Sequence, residues 1–275
     1  MMKIRMSGFG DEISSVLEEQ LSVLQELEIG AIELRSIGGR NLMDFSDKEL
    51  TSILNTLRMN GIRVSALGSP IGKSSLEEDE AMFWTRFVRA VAICNRLETR
   101  YLRIFSFYVS ESDKSTAFPH VRQRFEQMVR YAASQDVVLL HENEKGIYGN
   151  TPQDCLKLLS AIHDHHLRMT FDPANFIQVG SIPYPDAFNL LAPYVSYVHV
   201  KDARVSDGKV TVVGAGDAQW PQLMIALTRR NFDGYFSIEP HLGLRSEPGG
   251  KAAGFRRAFM AFQNLVNAMP TDGMR

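Results

Sequence analysis

Four segments far apart in the chain run through apolar or β-branched residues and then reach a side chain that binds metals. They are Leu139-Leu140-His141-Glu142-Asn143, Met169-Thr170-Phe171-Asp172-Pro173, Tyr197-Val198-His199-Val200-Lys201 and Phe236-Ser237-Ile238-Glu239-Pro240. Each has the length of a strand, and a helical stretch follows each one. Parallel strands wound with helices present their C-terminal ends on one face, so Glu142, Asp172, His199 and Glu239 are expected to meet in one pocket. Three carboxylates and an imidazole form a mixed oxygen and nitrogen site suited to Mn²⁺, Mg²⁺, Co²⁺ or Zn²⁺. Taken singly, a strand-end carboxylate is often a structural acceptor, and a histidine between valines is often a core residue. Their convergence argues for a site, because three carboxylates buried together without a cation would take up protons at a cost of several kcal/mol.

The elements that must position these residues can be read along the chain. Strands are expected at Ile4–Phe9, Ala31–Ser36, Arg63–Ser69, Tyr101–Ser106, Val137–Glu142, Arg168–Asp172, Val195–Val200 and Tyr235–Glu239. These runs are short and rich in Val, Ile, Leu and Phe, as strands covered on both faces are. Helices are expected between them, at Ser14–Glu28, Asp47–Met59, Leu76–Leu97, Phe118–Gln135, Thr151–Ile162, Pro185–Leu191, Trp220–Asn231 and Gly250–Asn267. Gly30, Gly61 and Gly234 stand between a helix and a strand, where a left-handed residue is expected. Asn150-Thr151-Pro152 sets a capping residue before a proline in a first helical turn. Eight alternations without a long linker predict one (β/α)8 TIM barrel over residues 1–275, with its active site at the strand C-termini. A Rossmann sheet is the competing fold, but no G-x-G-x-x-G follows a strand.

One stretch breaks the alternation. Val205–Val213, with Asp207-Gly208 at its centre, reads as a hairpin inserted after the seventh strand. Gly214-Ala215-Gly216-Asp217 follows it, either as a phosphate cradle or as a turn before the Trp220 helix.

Composition narrows the function. A formal net charge of −2 over 275 residues offers no general attraction to nucleic acid or to an anionic membrane. No apolar run approaches the about 18 residues needed to span a bilayer, and the N-terminus lacks the apolar core of a signal peptide. Cys94 and Cys155, the two cysteines, fall in helical segments and read as buried thiols. A cytoplasmic protein with a small-molecule substrate fits these features, and a homo-oligomer is compatible with them.

The chain resembles the xylose-isomerase-like sugar isomerase/epimerase superfamily of TIM barrels, from its first strand to its last helix. The resemblance is carried by His141-Glu142-Asn143, Phe171-Asp172-Pro173-Ala174-Asn175-Phe176, Val198-His199-Val200-Lys201-Asp202, Gly214-Ala215-Gly216 and Ser237-Ile238-Glu239. Gly8-Phe9-Gly10-Asp11-Glu12-Ile13 and Gly68-Ser69-Pro70-Ile71-Gly72-Lys73 look like one bacterial branch whose substrates vary. The resemblance implies Glu142, Asp172, His199 and Glu239 as ligands of one divalent ion, Mn²⁺ first among Mg²⁺, Co²⁺ and Zn²⁺. It also implies Glu142 and Glu239 as acid/base groups flanking the substrate. One departure is Asn175, which stands where ketose 3-epimerases usually carry a histidine and cannot titrate.

The activity so implied is isomerisation or epimerisation of a sugar, sugar phosphate or keto-sugar through an enediolate. Elimination from a keto-sugar or keto-inositol could use the same site. An endonuclease-IV-like phosphodiesterase would need three zincs and more strand-end histidines than His141, His199 and His241. A non-catalytic sugar-binding barrel would not require both glutamates. Glu33, Lys73, Asn175, Lys201, His241 and Arg245 are candidates for substrate binding, with Arg35 beside Glu33. Asp202 is expected to support a ligand from behind, and His163, His165 and His166 to sit near the end of the fifth helix.

Overall fold

Eight short strands form the centre of the computed structural model, which describes residues 3–242 and 250–269. They are β1 (Arg5–Gly8), β2 (Ala31–Leu34), β3 (Arg63–Gly68), β4 (Tyr101–Ile104), β5 (Val138–Glu142), β6 (Leu167–Phe171), β7 (Val195–Val200) and β8 (Tyr235–Ile238). All neighbouring pairs are parallel, in the spatial order β1-β8-β7-β6-β5-β4-β3-β2. A parallel bridge from Phe9 to Glu33 joins the two outer strands and closes the sheet into a barrel. The helices are α1 (Leu17–Glu26), α2 (Asp47–Met59), α3 (Glu80–Arg96), α4 (Lys114–Ser134), α5 (Pro152–Ala161), α6 (Pro173–Gln178), α7 (Phe188–Leu191), α8 (Trp220–Arg229) and α9 (Gly250–Asn267). The architecture is the (β/α)8 barrel expected from the eight alternations.

Side-chain alternation along each strand divides the protein into two layers. Ile32, Leu34, Leu102, Ile104, Leu139, Phe171, Val198 and Phe236 face outward and merge with the apolar stripes of the helices into one continuous core. Inside the barrel, Ala66, Val138, Leu140 and Tyr197 form a separate small cluster. Beside that cluster the Tyr197 hydroxyl reaches Ser65 Oγ at 2.8 Å, and Ser65 reaches Ser7 Oγ at 2.6 Å. The barrel is thus filled below, and the next inward positions, Glu142 after Leu140 and His199 after Tyr197, come to lie above this plug.

Local chemistry accounts for the element boundaries. The Ser46 hydroxyl and the Glu49 carboxylate form a reciprocal capping box that starts α2. Thr151 Oγ1 accepts the Asp154 N–H ahead of Pro152, as the sequence suggests for α5. Helix α4 begins at Lys114, a turn before the expected Phe118, and carries Pro119 inside it. The additional turn is anchored by the Lys114 ammonium, which donates to Asn150 Oδ1 at 2.6 Å and Asp154 Oδ2 at 2.7 Å. The expected Pro185–Leu191 helix is α-helical only over Phe188–Leu191, after a wider π-type turn at Pro183–Ala187.

Of the three glycines between helices and strands, only Gly61 is left-handed, with φ +69°. At the other two junctions Glu28 (φ 56°) and Asn231 (φ 51°) adopt that conformation instead. Gly234 answers a steric demand, since a Cβ there would lie 2.1 Å from the Ser196 carbonyl oxygen.

Candidate metal centre

Strands β5 to β8 are neighbours, and the last inward residue of each turns toward a common point. One ligand atom from each of Glu142, Asp172, His199 and Glu239 lies within 4.8 Å of the others, and all four residues are buried. His199 Nδ1 is the hub, 3.2 Å from Glu142 Oε1, 3.3 Å from Glu239 Oε2 and 3.7 Å from Asp172 Oδ2. The Lys201 ammonium, two residues further along the same face of the chain, sits 2.7 Å from Asp172 Oδ2 and 3.0 Å from Glu239 Oε2.

Hydrogen bonds aim each carboxylate. Asp172 caps helix α6, its Oδ1 accepting the Asn175 N–H at 2.9 Å, which leaves Oδ2 to face the centre. Asn143 clamps the same turn in both directions. Its Nδ2 donates to the Asp172 carbonyl at 2.9 Å and its Oδ1 accepts the Asp172 N–H at 3.0 Å. Each glutamate has one oxygen near His199 and the other near an arginine. Arg103 Nη1 donates to Glu142 Oε2 at 2.8 Å, and Arg35 Nη1 donates to Glu239 Oε1 at 3.3 Å.

Charge follows from this geometry. Burial favours the neutral form of Glu142, but His199 and Arg103 outweigh it and lower its pKa. At Glu239, burial is likewise overcome by Lys201, His241 and His199, and the carboxyl is held well below its usual range. Burial disfavours a charged His199, yet the surrounding Glu142, Glu33 and Glu239 carboxylates raise its pKa well above normal. Lys201 stays an ammonium, because Asp172 and Glu239 more than offset its desolvation. Glu142 and Glu239 are therefore held ionised, with His199, Lys201, Arg35 and Arg103 supplying the positive charge around them. Three carboxylates and one imidazole nitrogen match the donors a divalent ion takes, and one ligand atom of each already lies within 4.8 Å of the others. The group can hold a metal ion.

A cavity of about 140 Å³ opens onto Glu142, Glu239 and Lys201. Arg35, Lys73, Arg103 and Phe105 also line it, and the three cations lie over aromatic rings. Arg35 lies 4.5 Å from the centre of Phe9, Arg103 lies 5.7 Å from Phe9 and 4.6 Å from Phe105, and Lys73 lies 4.6 Å from Phe105. Lys73 lines the cavity and pairs with Glu144 Oε2 at 2.9 Å. His241, left-handed at φ 45°, lies at the mouth with Nε2 3.2 Å from Glu12 and 3.4 Å from Glu239. The Glu239 carboxylate raises its pKa.

Other candidates fall elsewhere. Asn175 is buried behind Glu142, donating to its Oε1 at 3.1 Å, and does not line the cavity. Glu33 is likewise absent from the rim. It is fully buried beneath His199, because position 33 faces into the barrel one layer below Arg35. Arg245 lies outside the described residues. His141 points outward to Ser106 Oγ at 2.9 Å, as its neighbour Glu142 points inward. The Asp202 carboxylate touches none of the four clustered residues. It accepts the N–H groups of Ala203, Gly214, Gly216 and Ala218 at 2.8, 3.0, 3.2 and 3.0 Å.

The glycine loop is thereby filled by the chain's own carboxylate and not open as a phosphate cradle. The expected hairpin is present but pairs Asp202–Ala203 with Val210–Thr211, so its first strand starts before Val205. At the end of α5, His166 Nδ1 lies 2.9 Å from Asp164 Oδ1. Sequence patterns assigned no role to Arg103, and Asn143 entered only as part of the His141-Glu142-Asn143 motif. An arginine inside the apolar run Tyr101-Leu102-Arg103-Ile104 was the available signal for the first.

A family model described as xylose isomerase-like TIM barrel matches residues 21–259. No curated protein matches the sequence significantly. Among solved structures, a D-tagatose 3-epimerase-like protein is similar at 16% identity, with a TM-score of 0.77 over 96% of this chain and 98% of the other. The probable 3-DHS dehydratase AsbF of Bacillus anthracis is similar at 16% identity and a TM-score of 0.76, over 96% and 99% of the two chains. A xylose isomerase-like TIM barrel protein from Mycobacterium smegmatis, solved in complex with magnesium, gives 13% identity and a TM-score of 0.67 over 93% and 88%.

Proposed function

The chain belongs to the xylose isomerase-like TIM barrel family, and we propose that it is a divalent-metal-dependent isomerase or epimerase acting on a sugar, sugar phosphate or keto-sugar. Glu142, Asp172, His199 and Glu239 would hold the ion, Mn²⁺ or Mg²⁺ in the first instance. The likeness to a magnesium-bound barrel and to an epimerase-like protein supports this reading. When bound, the ion supplies Lewis acidity that makes a proton beside a sugar carbonyl easier to remove.

The observation that carries the proposal is the paired placement of Glu142 and Glu239. Both open onto the same cavity, each with one oxygen toward His199 and one toward an arginine. Both are held ionised, so either can act as a base toward a substrate C–H. One glutamate removes the proton, and the other, once it has taken up a proton from a substrate hydroxyl or water, returns it either to the opposite face of the same carbon or to the neighbouring carbon. Lys201 donates to a substrate oxygen, and His241 and Lys73 at the cavity mouth bind the outer hydroxyls or a phosphate. Arg35 and Arg103 keep the two carboxylates oriented, and Asn175 steadies Glu142 from behind.

Elimination is the second reading, favoured by the buried Lys201 ammonium, which could protonate a departing hydroxyl, and by the likeness to a probable dehydratase. The phosphodiesterase reading loses support, since among His141, His199 and His241 only His199 belongs to the four-residue cluster. The discriminating experiment incubates the metal-loaded protein in D₂O with ketoses, 3-keto-glycosides and keto-inositols. Isomerisation or epimerisation predicts deuterium on a carbon beside the carbonyl with no loss of mass as water. Dehydrated product would favour elimination, and no exchange or conversion in any of these classes would refute both readings.

A further inference from the structure

A histidine offers a metal one ring nitrogen, and the other then carries the proton and needs an acceptor. In His199 the nitrogen facing the three clustered carboxylates is Nδ1. The rear nitrogen, Nε2, is buried and has no hydrogen-bond partner. Glu33 lies directly behind it, with Oε2 3.4 Å from Nε2 and Oε1 also buried without a partner.

Several features hold that carboxylate in place. Ser237 Oγ donates to Glu33 Oε2 at 2.7 Å. The β2–β3 register slips between Ile32 and Glu33, leaving Ser65 as an additional residue on β3 whose hydroxyl donates to the Ile32 carbonyl at 3.0 Å. Such irregularities commonly re-aim a side chain next to an active site. Glu33 has no exposed surface, and among the described residues His199 is the only basic side chain within salt-bridge reach of it. A buried carboxylate with so little compensation is costly to keep unless it has a specific partner.

We infer that Glu33 is a positioning residue for the metal centre. It accepts the Nε2–H of His199 and so holds the imidazole in the tautomer that presents a lone pair at Nδ1. A shift of a few tenths of an ångström would bring the 3.4 Å separation into hydrogen-bond range. This inference rests on the reading of His199 as a metal ligand, and it gives Glu33 a task that does not involve the substrate.

The test compares Glu33→Gln, Glu33→Leu and His199→Ala with the unaltered protein. Affinity for Mn²⁺ and Zn²⁺ is measured by competition with a fluorescent chelator, and the His199 tautomer by ¹⁵N NMR of the Zn²⁺-loaded protein. Glu33→Gln keeps an oxygen acceptor without the charge and should weaken metal binding about tenfold, and Glu33→Leu about a hundredfold. The unaltered protein should show a proton on His199 Nε2, and that signal should shift in Glu33→Gln. If Glu33→Leu does not fold, the near-isosteric Glu33→Gln decides. Unchanged affinity and an unchanged Nε2 signal in Glu33→Gln would overturn the inference alone, provided His199→Ala loses the metal. Full affinity in His199→Ala would overturn the ligand reading and this inference with it.

Discussion

Arg103 Nη1 donates to Glu142 Oε2 across 2.8 Å, and the pair is nearly shut off from solvent, with side-chain exposures of 6% and 2%. The guanidinium therefore fixes one oxygen of Glu142 while the other faces His199, and a strand-four residue orients a strand-five carboxylate. Removing one member of a buried pair leaves the other charge uncompensated. Arg103→Met should lower unfolding free energy by about 3–5 kcal/mol in urea titrations. Arg103→Lys should lose less, since it keeps the charge and gives up the fork and the stacking on Phe105. An Arg103→Met protein with the unaltered urea midpoint would remove this role.

The two glutamates should be separable by partial reactions. Glu142→Gln and Glu239→Gln keep an oxygen donor but lose the base, and each should reduce turnover by about 10²–10⁴-fold. With the glutamates on opposite faces of a substrate, one variant should still exchange the α-proton with D₂O while failing to invert the centre. Wild-type epimerisation by both variants would contradict the two-base scheme and turn attention to Lys201 and His241.

Asp202 predicts an effect on stability without one on metal. Its carboxylate gathers four backbone N–H groups from Ala203 to Ala218, and Gly216 is needed there because a Cβ would meet Asp202 Oδ1 at 2.3 Å. Asp202→Ala should cost about 2 kcal/mol or more, read by chemical denaturation, with metal stoichiometry unchanged. Loss of metal at unaltered stability would instead place Asp202 among the groups that support the ligands.

Cys94 and Cys155 are both completely buried, and burial pushes both thiols well above their usual pKa. Thiolate is the reactive form, so a disulfide-exchange reagent at pH 8 should label neither cysteine in the folded protein and both after unfolding. Rapid labelling of either in the native state would contradict the packing of α3 or α5.

The barrel was legible because its signals are local and repeated. Short apolar runs alternate with amphipathic stretches, and Glu142, Asp172, His199 and Glu239 all stand at a strand end. What lay hidden depends on three-dimensional neighbours. Helix α6 was not among the expected helices, since its six residues, Pro173–Gln178, are too few for a periodic stripe. The inward or outward sense of His141 and Glu33 depends on strand alternation and, for Glu33, on a register slip that no single sequence window contains. Asn175 and Arg103 gain meaning only from the oxygen atoms of Glu142, 33 and 39 residues away. The Gly214-Ala215-Gly216 loop looked open to phosphate because its actual occupant, Asp202, reaches it only after the chain folds back as a hairpin.

The most direct test is the number of divalent ions bound per chain, measured by mass spectrometry after loading with Mn²⁺ and desalting, for the unaltered protein and for Asp172→Ala and His199→Ala. A four-ligand centre requires one ion in the unaltered chain and little or none in either variant, with circular dichroism unchanged because the apolar layer between barrel and helices is separate from the site. Full occupancy in both variants, or three zinc ions in a chain loaded with zinc, would contradict it.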